Sequence, residues 1–245
     1  MTFSIIVPAY NEQDYIAKCL KSIRSLKIPR GESSEVIVVN NASTDKTKET
    51  AQAALPTAKI IDEPQKGLTR AYNRGALEAK GEILVFVDAD MTLLPDHLEK
   101  ISREFKKDPK LVALSGPYIW KDGGMFCDLV TRFVYVFIAM PAEIIFNRWL
   151  NVGASIASGN SAVRKRAFQK IGGFNEKIFY GLEPDFALRA RKFGKVRFKY
   201  YLGAESSTRR FKKEGFLRML CRYIANILWF YFFRKPFTKN YIDVR

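Results

Sequence analysis

Histidine and cysteine are both scarce in this chain of 245 residues. A single histidine, His97, nearly excludes a histidine-based triad or a metal site built from several histidines. The three cysteines lie far apart, form no CxxC pair and are odd in number. We therefore expect neither a disulfide framework nor a structural zinc site, and we expect a reducing compartment. Because His97 follows Pro95-Asp96 at the start of a predicted helix, we expect it at the surface.

Several common signals are missing as well. The chain has no GxGxxG and no Walker lysine motif, so neither a dinucleotide-binding fold nor a P-loop is indicated. In the apolar and aromatic segment 125–150, the longest charge-free stretch runs from Phe133 to Ala142. That is well short of the roughly 20 apolar residues that span a bilayer. Since Met1-Thr2 leads straight into a predicted strand, we expect no signal peptide and a cytoplasmic protein.

Negative charge is in short supply. There are 25 Asp and Glu against 41 Lys and Arg, which gives a formal net charge of +16. Between Arg197 and Arg245, 12 bases face 3 acids, so +9 of that excess lies in the last fifth of the chain. A basic block of this size predicts an anionic partner surface, either nucleic acid or acidic lipid.

The first 115 residues alternate apolar strands with amphipathic helices. We predict strands at Phe3–Val7, Glu35–Val39, Lys59–Ile61, Ile83–Val87 and Val112–Ser115. We predict helices at Gln13–Leu26, Thr44–Ala54, Leu68–Ala79 and Asp96–Lys106. This alternation is typical of a doubly wound α/β fold with a parallel sheet. Strand-and-turn character returns between Ala154 and Val163, and another helical pattern begins at Lys165.

Two acids close the most apolar of these strands. Asp88 and Asp90 follow Ile83–Val87 directly, and residues two apart in an extended chain project to the same side. Such a pair repels unless a cation joins it, and carboxylates at this spacing suit Mg²⁺ or Mn²⁺ together with substrate phosphates. In the alternative interpretation, Asp88 binds loop amides and Asp90 caps the next helix. The pair alone leaves both interpretations open.

Polar clusters also follow the first two strands. The first runs into Pro8-Ala9-Tyr10-Asn11-Glu12 and the second into Asn40-Asn41-Ala42-Ser43-Thr44-Asp45. The carboxyl ends of adjacent parallel strands share one edge of a sheet, so all three clusters should converge on a single crevice. Taken singly, each cluster is also a good helix N-cap.

Together these segments resemble glycosyltransferase family 2, the inverting GT-A enzymes that use nucleotide sugars. The resemblance is carried by SIIVPAYNE, VVNNASTDKT, KGLTRAYNRGALEAKGEILVFVDAD, GNSAVRKRAFQKIGGFNE and GLEPDFALRARKFGK. These segments cover most of residues 3 to 195 in the family's order. The resemblance implies a GT-A fold, in which helices flank a Rossmann-like, mostly parallel sheet. It also implies Mn²⁺ or Mg²⁺ as cofactor and a UDP- or GDP-linked sugar as donor.

The resemblance further implies roles for particular positions. Asp88 and Asp90 would hold the metal and diphosphate, with Asp90 the more direct ligand, and Glu183 would be the general base, followed in the same catalytic motif by Asp185. The implied substrate-binding positions are Pro8, Ala9, Tyr10, Glu12, Asn40, Ser43, Asp45, Lys66, Gly67, Asn73, Asp88, Ala89, Gly159, Asn160, Arg209 and Arg210. For Arg209 and Arg210, contact with a lipid surface is an equal alternative to phosphate recognition.

Two positions depart from the family pattern. Asn40 stands where the family usually has an acid that contacts the nucleobase or ribose, and an amide both donates and accepts, so the base preference is open. Leu182-Glu183-Pro184 stands where the family has Asp preceded by Glu. The longer side chain of Glu183 must then reach the acceptor, and the alternative is a surface acid near a turn.

The last residues have a different character. An apolar helical face with bases at both ends predicts a helix lying in a membrane interface, whereas a helix docked on the sheet is the alternative. We expect a catalytic domain at 1–211, divided into a nucleotide-sugar half at 1–115 and an acceptor half at 116–211, and a membrane-interface tail at 212–245. The expected protein is peripheral at the inner face of the cell membrane, with a lipid-linked or glycan acceptor and no nucleic acid partner.

Two rival functions stay open at this point. A nucleotidyltransferase also places a metal at strand ends, but it usually has a Gly-rich phosphate loop after its first strand, where PAYNE stands here. A non-enzymatic basic module that binds a membrane or nucleic acid would explain the charge. Nucleic-acid binding predicts a basic groove with interleaved stacking aromatics rather than a continuous apolar face.

Overall fold

The computed structural model describes residues 1–120, 156–178 and 182–209, together with single positions between 129 and 233. Its strands are β1 Thr2–Ala9, β2 Ser33–Asn40, β3 Lys59–Asp62, β4 Ile83–Val87, β5 Met91–Thr92, β6 Leu111–Ser115, β7 Tyr118–Ile119, β8 Asn160–Arg164, β9 Lys195–Phe198 and β10 Ala204–Ser206. Its helices are α1 Ile16–Arg24, α2 Thr47–Ala54, α3 Leu68–Glu78, α4 His97–Lys107, α5 Lys165–Ile171 and α6 Leu182–Ala190, with 3₁₀ turns at Arg191–Phe193 and Tyr200–Leu202. The elements predicted for the first 115 residues are all present.

Seven strands form the central sheet in the order β3-β2-β1-β4-β8-β6-β9. Parallel pairing joins β1 to β2 and β4, β2 to β3, and β6 to β9. Strand β8 is the exception, because it runs antiparallel to both β4 and β6. The predicted mostly parallel sheet is confirmed, with one reversed strand. This reversal brings the start of β8 to the carboxyl end of β4, where Asn160 lies opposite Val87.

Helices cover both faces of the sheet because both faces are apolar. All five residues of β4 are buried. Successive side chains alternate between faces, so Ile83, Val85 and Val87 join one hydrophobic cluster while Leu84 and Phe86 join the other. The first cluster includes residues of α1 and α4, and the second includes residues of α3, α5 and α6. Burial of apolar surface, at roughly 25 cal/mol per Å², therefore holds the three layers together.

His97 is buried, with only 3% of its surface exposed, so the expected surface position is wrong. It opens α4, whose inner face packs against the sheet through Leu98 and Ile101. Burial, assisted by the charge of Lys100, lowers the pKa of His97 to about 4. Its imidazole is therefore neutral at physiological pH. Pro95-Asp96 indicates where the helix begins but not how the helix is rotated, which is why the sequence misplaced this side chain.

A second sheet contains three strands in the order β5-β10-β7. Strand β5 begins directly after Asp90 and pairs antiparallel with β10, so that Met91 lies opposite Ser206. The chain that leaves β10 therefore passes beside the paired acids that follow β4. Within the described ranges, no helix is both long enough and apolar enough to cross a bilayer.

Candidate active site at the carboxyl edge of the sheet

The carboxyl ends of β1 and β4 lie side by side, because these strands pair in parallel up to Ile6 and Phe86. Strands β2 and β3 lie on one side of this pair and β8 on the other, so the strand order reverses here. Ligands of open α/β sheets bind at such a switch point. Glu12 follows β1 and Asp90 follows β4, and a single arginine contacts both carboxylates. The first and third polar clusters do converge.

Arg209 is the arginine that joins them. Its two terminal nitrogens donate to the two carboxylate oxygens of Glu12 at 2.6 and 2.5 Å, and its Nη2 lies 3.2 Å from Asp90 Oδ2. The ring of Tyr15 lies under the guanidinium, 4.6 Å from ring centroid to Cζ. Burial alone would lower the pKa of Arg209, but the hydrogen bonds to Glu12 and the charge of Asp90 outweigh burial and raise it. The guanidinium therefore stays charged between two acids.

Asp88 is fixed from two directions. The hydroxyl of Tyr72 donates to its Oδ1 at 2.5 Å, and its backbone N–H donates to the Gly159 carbonyl at 3.1 Å. A Cβ at position 159 would lie only 2.1 Å from Asp88 Oδ2, so the close approach of β8 to this carboxylate requires glycine. Burial, together with the charge of Asp88, raises the pKa of Tyr72 well above its usual value. Tyr72 therefore stays protonated and acts as a donor.

The field at this edge of the sheet is strongly negative. Cys19 lies beneath the acids, and its Sγ donates to the backbone carbonyl of Asp88 at 3.6 Å. Burial, followed by the charges of Asp90 and Asp88, raises the pKa of this thiol far above its usual value. Cys19 is therefore a protonated core residue and not a nucleophile, and the site has an electrostatic need for cations.

The acids suit a metal ion that binds together with a phosphate group. Within the described ranges, no three His, Cys, Asp or Glu side chains form a cage that could hold a metal by themselves. Mg²⁺ does not need such a cage, because one or two carboxylates with water and substrate phosphates complete its shell. Mn²⁺ accepts the same hard oxygen ligands. Asp88 and Asp90 provide those carboxylates, so the residues fit a metal bound with a diphosphate.

The two candidate bases differ in their surroundings. Glu183 lies in the first turn of α6 and accepts a hydrogen bond from the Ser158 hydroxyl at 3.1 Å, next to the Gly159 that touches Asp88. Asp185 binds Arg189 at 2.6 and 3.0 Å, and Arg189 in turn donates to the carbonyls of Ile171 and Gly173. Asp185 thus orients Arg189, which ties α6 to the end of α5 and the loop after it. Glu183 instead lies close enough to Tyr72 for its charge to act together with burial in raising the pKa of that phenol.

The predicted residues of the loops after β1 and β2 bind one another. Ser43 Oγ accepts a hydrogen bond from the backbone N–H of Asn11 at 3.1 Å. Asp45 Oδ2 accepts from the backbone N–H of Gln13 at 3.2 Å, and Asp45 Oδ1 accepts from the backbone N–H of Thr47 at 3.0 Å. These contacts make Ser43 and Asp45 braces that hold the two loops in register. The neighbouring Asn11 has φ 50°, a conformation that asparagine tolerates better than most residues.

The loop that leads into α3 reaches the same edge. Lys66 Nζ lies 3.9 Å from the centroid of the Tyr10 ring, a cation–π contact across the mouth of the site. The Gly67 amide donates to Asn41 Oδ1 at 2.8 Å. Asn40 Nδ2 donates to Asp62 Oδ1 at 2.9 Å.

The remaining predicted side chains are buried or bound elsewhere in the protein. Pro8, Ala9 and Ala89 are buried in the sheet's edge. Asn160 is 2% exposed, and its Nδ2 donates to the carbonyls of Pro117 and Leu202 at 3.2 and 2.8 Å. Its amide is thus already bound within the protein.

Asn73 and Arg210 complete the set. Asn73 exchanges two hydrogen bonds with the backbone of Phe174, both 2.9 Å long, and donates to Glu176 at 3.0 Å. It therefore fixes the loop after α5. Arg210 lies outside the described residues.

Sequence reasoning missed Tyr72 and Ser158, and it gave no role to Asp62, which binds the predicted Asn40. Tyr72 lies within the predicted helix pattern of α3, where a buried aromatic looks like an ordinary core residue. Ser158 depends on the reversal of β8, which no local pattern indicates. Asp62 closes a predicted strand, just as Asp88 does, and that shared position was the available signal.

Comparisons with known proteins agree on one family. The family model described as Glycosyl transferase family 2 matches residues 4–172. An uncharacterized glycosyltransferase of Haemophilus influenzae is 28% identical over 188 residues, which is 76% of this chain and 60% of the relative. A dolichol-phosphate mannosyltransferase of Pyrococcus furiosus is 31% identical over 122 residues, 49% of this chain and 34% of the relative. The chain thus spans about three fifths of the Haemophilus protein and about a third of the Pyrococcus protein.

The fold has solved counterparts. The mannosyltransferase PcManGT from Pyrobaculum calidifontis, solved in complex with GDP-Man and Mn²⁺, superposes with a TM-score of 0.64. Its sequence is 20% identical, and the superposition covers 91% of this chain and 64% of that one. At this identity the likeness shows the GT-A fold.

Proposed function

The chain belongs to glycosyltransferase family 2, and from that premise we propose that it inverts the anomeric centre while transferring a sugar from a nucleotide-sugar donor to an acceptor hydroxyl or phosphate. The observation that carries this proposal is the separation of two acidic functions. Asp88 and Asp90 lie at the end of β4 beside Arg209, whereas Glu183 lies on α6 beyond Ser158. We call the first group the donor side (Glu12, Asp88, Asp90 and Arg209) and the second the acceptor side (Ser158 and Glu183).

The donor side would hold the diphosphate. A divalent metal bound by Asp90 and Asp88 supplies positive charge that stabilises the departing nucleoside diphosphate. Arg209 adds a second cation, since its fork of donors suits phosphate oxygens as well as carboxylates. It contacts Asp90 at 3.2 Å and Glu12 at 2.5 Å, so a bound diphosphate would find this guanidinium already oriented. Mn²⁺ is the ion named with the Pyrobaculum structure, and we propose Mn²⁺ or Mg²⁺ here.

The acceptor side would activate the nucleophile. Inversion takes place in one displacement, so a base must remove the proton of the acceptor hydroxyl while that oxygen attacks the anomeric carbon. Glu183 fits this role because Ser158, which orients its carboxylate at 3.1 Å, is followed by the Gly159 that approaches Asp88. Asp185 fits less well, since Arg189 already binds it twice. We assign Glu183 as the general base and Asp185 as a positioning residue for α6.

The acceptor is proposed to be lipid-linked or a membrane-proximal glycan. Leu129, Phe133 and Phe137 are exposed and lie four residues apart, and the rings of Phe133 and Phe137 are 4.8 Å apart. Trp229 and Phe233 are also exposed and stack at 4.2 Å. Pairs of large exposed apolar side chains on a strongly basic chain fit an acidic lipid surface.

The proposed organisation follows from these assignments. Residues 1–211 would form the catalytic unit, and residues 212–245 would hold it at the inner face of the membrane. One base of the tail already has an acidic partner in the same segment, because Arg222 forms an ion pair with Glu214. The apolar helical face predicted for this tail lies largely outside the described residues.

The test is a screen of nucleotide sugars with Mn²⁺, read as release of nucleoside diphosphate. We expect one donor to be turned over, and EDTA to abolish the release. Asp108→Asn is a control variant that should keep wild-type turnover. It changes a partly exposed acid that pairs with Lys195 at 2.7 Å near the amino ends of β6 and β9, away from the site. No turnover with any donor, or turnover that EDTA leaves unchanged, would contradict the proposal.

A further inference from the structure

The strand ends next to the donor side carry a hydrogen-bonded pair of their own. Asn40 closes β2 and Asp62 closes β3, and the two residues are neighbours in the parallel ladder. Asn40 in turn lies opposite Ala9 of β1. This pair therefore lies on the same edge of the sheet as Asp88 and Asp90. Counted from β4, Asn40 is displaced sideways by two strand spacings, about 10 Å, and Asp62 by three, about 14 Å.

The Asp62 carboxylate is oriented by two hydrogen bonds and can accept more. Asn40 Nδ2 donates to Oδ1 at 2.9 Å, and Lys48 Nζ donates to Oδ2 at 2.6 Å. Each carboxylate oxygen has more than one acceptor position, so both can accept another hydrogen bond. Just over half of the side chain, 57%, is exposed. The hydrogen bond from Lys48, with that from Asn40, lowers the pKa of Asp62, so the group is an anion that only accepts.

The location agrees with the shape of a nucleotide-sugar donor. If the diphosphate lies at the ends of β1 and β4, the nucleoside must extend to one side of it and the sugar to the other. The sugar side is set by Glu183 and Ser158, which lie beyond β4 next to the start of β8. The nucleoside then extends over β2 and β3, where Asn40 and Asp62 lie.

We propose that Asp62, oriented by Asn40 and Lys48, reads the nucleobase of the donor and selects guanine over uracil. This inference rests on the proposed function. A carboxylate presents two acceptors side by side, and the edge of guanine presents two donors side by side, N1–H and the 2-amino group. Uracil presents a single donor, N3–H, between two carbonyl oxygens, so one carboxylate oxygen would face a carbonyl and the two would repel.

The position of the acid is what distinguishes this arrangement. Asn40 cannot offer two acceptors, because its amide has a single oxygen. Its Nδ2 must face Asp62, since a carboxylate accepts and does not donate. The acid on β3 thus provides the acceptor pair that the amide on β2 lacks, and the amide positions it.

The test compares three nucleoside diphosphates in the presence of Mn²⁺ by calorimetry: GDP, IDP and UDP. IDP differs from GDP only by loss of the 2-amino group. We expect GDP to bind at least about fivefold more tightly than IDP, because a bidentate contact to a base discriminates by that much or more. UDP should be weaker still. In Asp62→Asn the preference for GDP over IDP should disappear, because one of the two acceptors becomes a donor.

The control is Glu78→Gln, which changes the acid paired with Lys59 at the opposite end of β3 at 2.5 Å. It should keep the wild-type order of affinities. An order in which UDP equals or exceeds GDP would overturn the inference, as would a GDP preference that survives Asp62→Asn. Either result leaves the proposed function standing, because a diphosphate has bound. Failure of all three nucleotides to bind would overturn this inference, and it would overturn the proposed function as well if the donor screen also found no turnover.

Discussion

On the donor side of the candidate site, Glu12 and Asp90 follow the ends of two adjacent parallel strands, whereas on the acceptor side Ser158 precedes the reversed strand β8 and Glu183 lies on α6. The donor side is charge-dense, and one arginine, whose side chain is only 13% exposed, contacts both acids. On the acceptor side, the Ser158 hydroxyl donates to the Glu183 carboxylate at 3.1 Å. This difference fits the proposed division of roles, in which the donor side would hold the leaving group and Glu183 would take the acceptor proton.

The largest effect is expected from removing the proposed metal ligand on the donor side. Asp90→Asn should lower turnover at least about 100-fold, because charge stabilisation by a metal is worth several kcal/mol of the barrier. The amide keeps the size of the side chain, so the melting temperature should change little. Nucleoside diphosphate release and Mn²⁺-dependent nucleotide binding would both be measured. Asp108→Asn is the matched control, and full activity in Asp90→Asn would rule out Asp90 as the ligand.

The acceptor side should lose a different step. Glu183→Gln should bind the donor normally yet lose transfer by about 10²- to 10⁴-fold, since an amide cannot take the acceptor proton. Asp185→Asn should instead keep most of its turnover and lose about 1 kcal/mol of stability, because its partly exposed pair with Arg189 is weakened. The two variants would be compared by donor affinity, transfer rate and urea unfolding. The opposite pattern, with transfer lost in Asp185→Asn only, would show that the base is Asp185.

The acids at the strand ends could be anticipated from the sequence, whereas the contacts that bring distant parts of the chain to them could not. The five apolar residues Ile83–Val87 are followed directly by acids, so the end of the strand can be read from the sequence. Asp88 and Asp90 could therefore be placed at a sheet edge from the local pattern alone. The contact between Arg209 and Glu12 joins residues 197 positions apart, and the approach of Gly159 to Asp88 depends on the reversal of β8. Such contacts follow from how helices and strands pack, which local propensity does not encode.

Arg209 offers a third perturbation, one that separates charge from geometry. Arg209→Gln should lower the free energy of unfolding by about 3 kcal/mol, because Glu12 is only 1% exposed and would lose the guanidinium that binds both of its carboxylate oxygens. Arg209→Lys keeps the charge but loses the fork that binds both oxygens, so its stability should fall between wild type and Gln. Urea unfolding measures both.

Arg74→Gln supplies the control for this series. Arg74 makes an exposed ion pair with Glu78 at 3.1 Å on α3, and loss of such a pair costs less than about 1 kcal/mol. If Arg209→Gln were as stable as Arg74→Gln, the buried bridge would contribute little, and the donor side would not need its arginine for folding. If Arg209→Gln had normal stability but bound the diphosphate more weakly, the role of Arg209 would be in substrate binding and not in folding.

The smallest expected effect concerns where the acceptor side obtains its substrate. Phe133 and Phe137 are more than half exposed and contact each other, so removing them should leave the core intact. Each ring contributes burial at roughly 25 cal/mol per Å² when it enters lipid, while the bases add an attraction that salt screens within about 8 Å. The double variant Phe133→Ser/Phe137→Ser should therefore bind acidic liposomes several-fold more weakly, and its residual binding should vanish as salt rises. Phe193→Ser, which removes an exposed ring from the turn that precedes β9, should bind like wild type. Equal binding by all three proteins would separate the exposed rings from any lipid surface, and the acceptor would then have to reach Glu183 from solution.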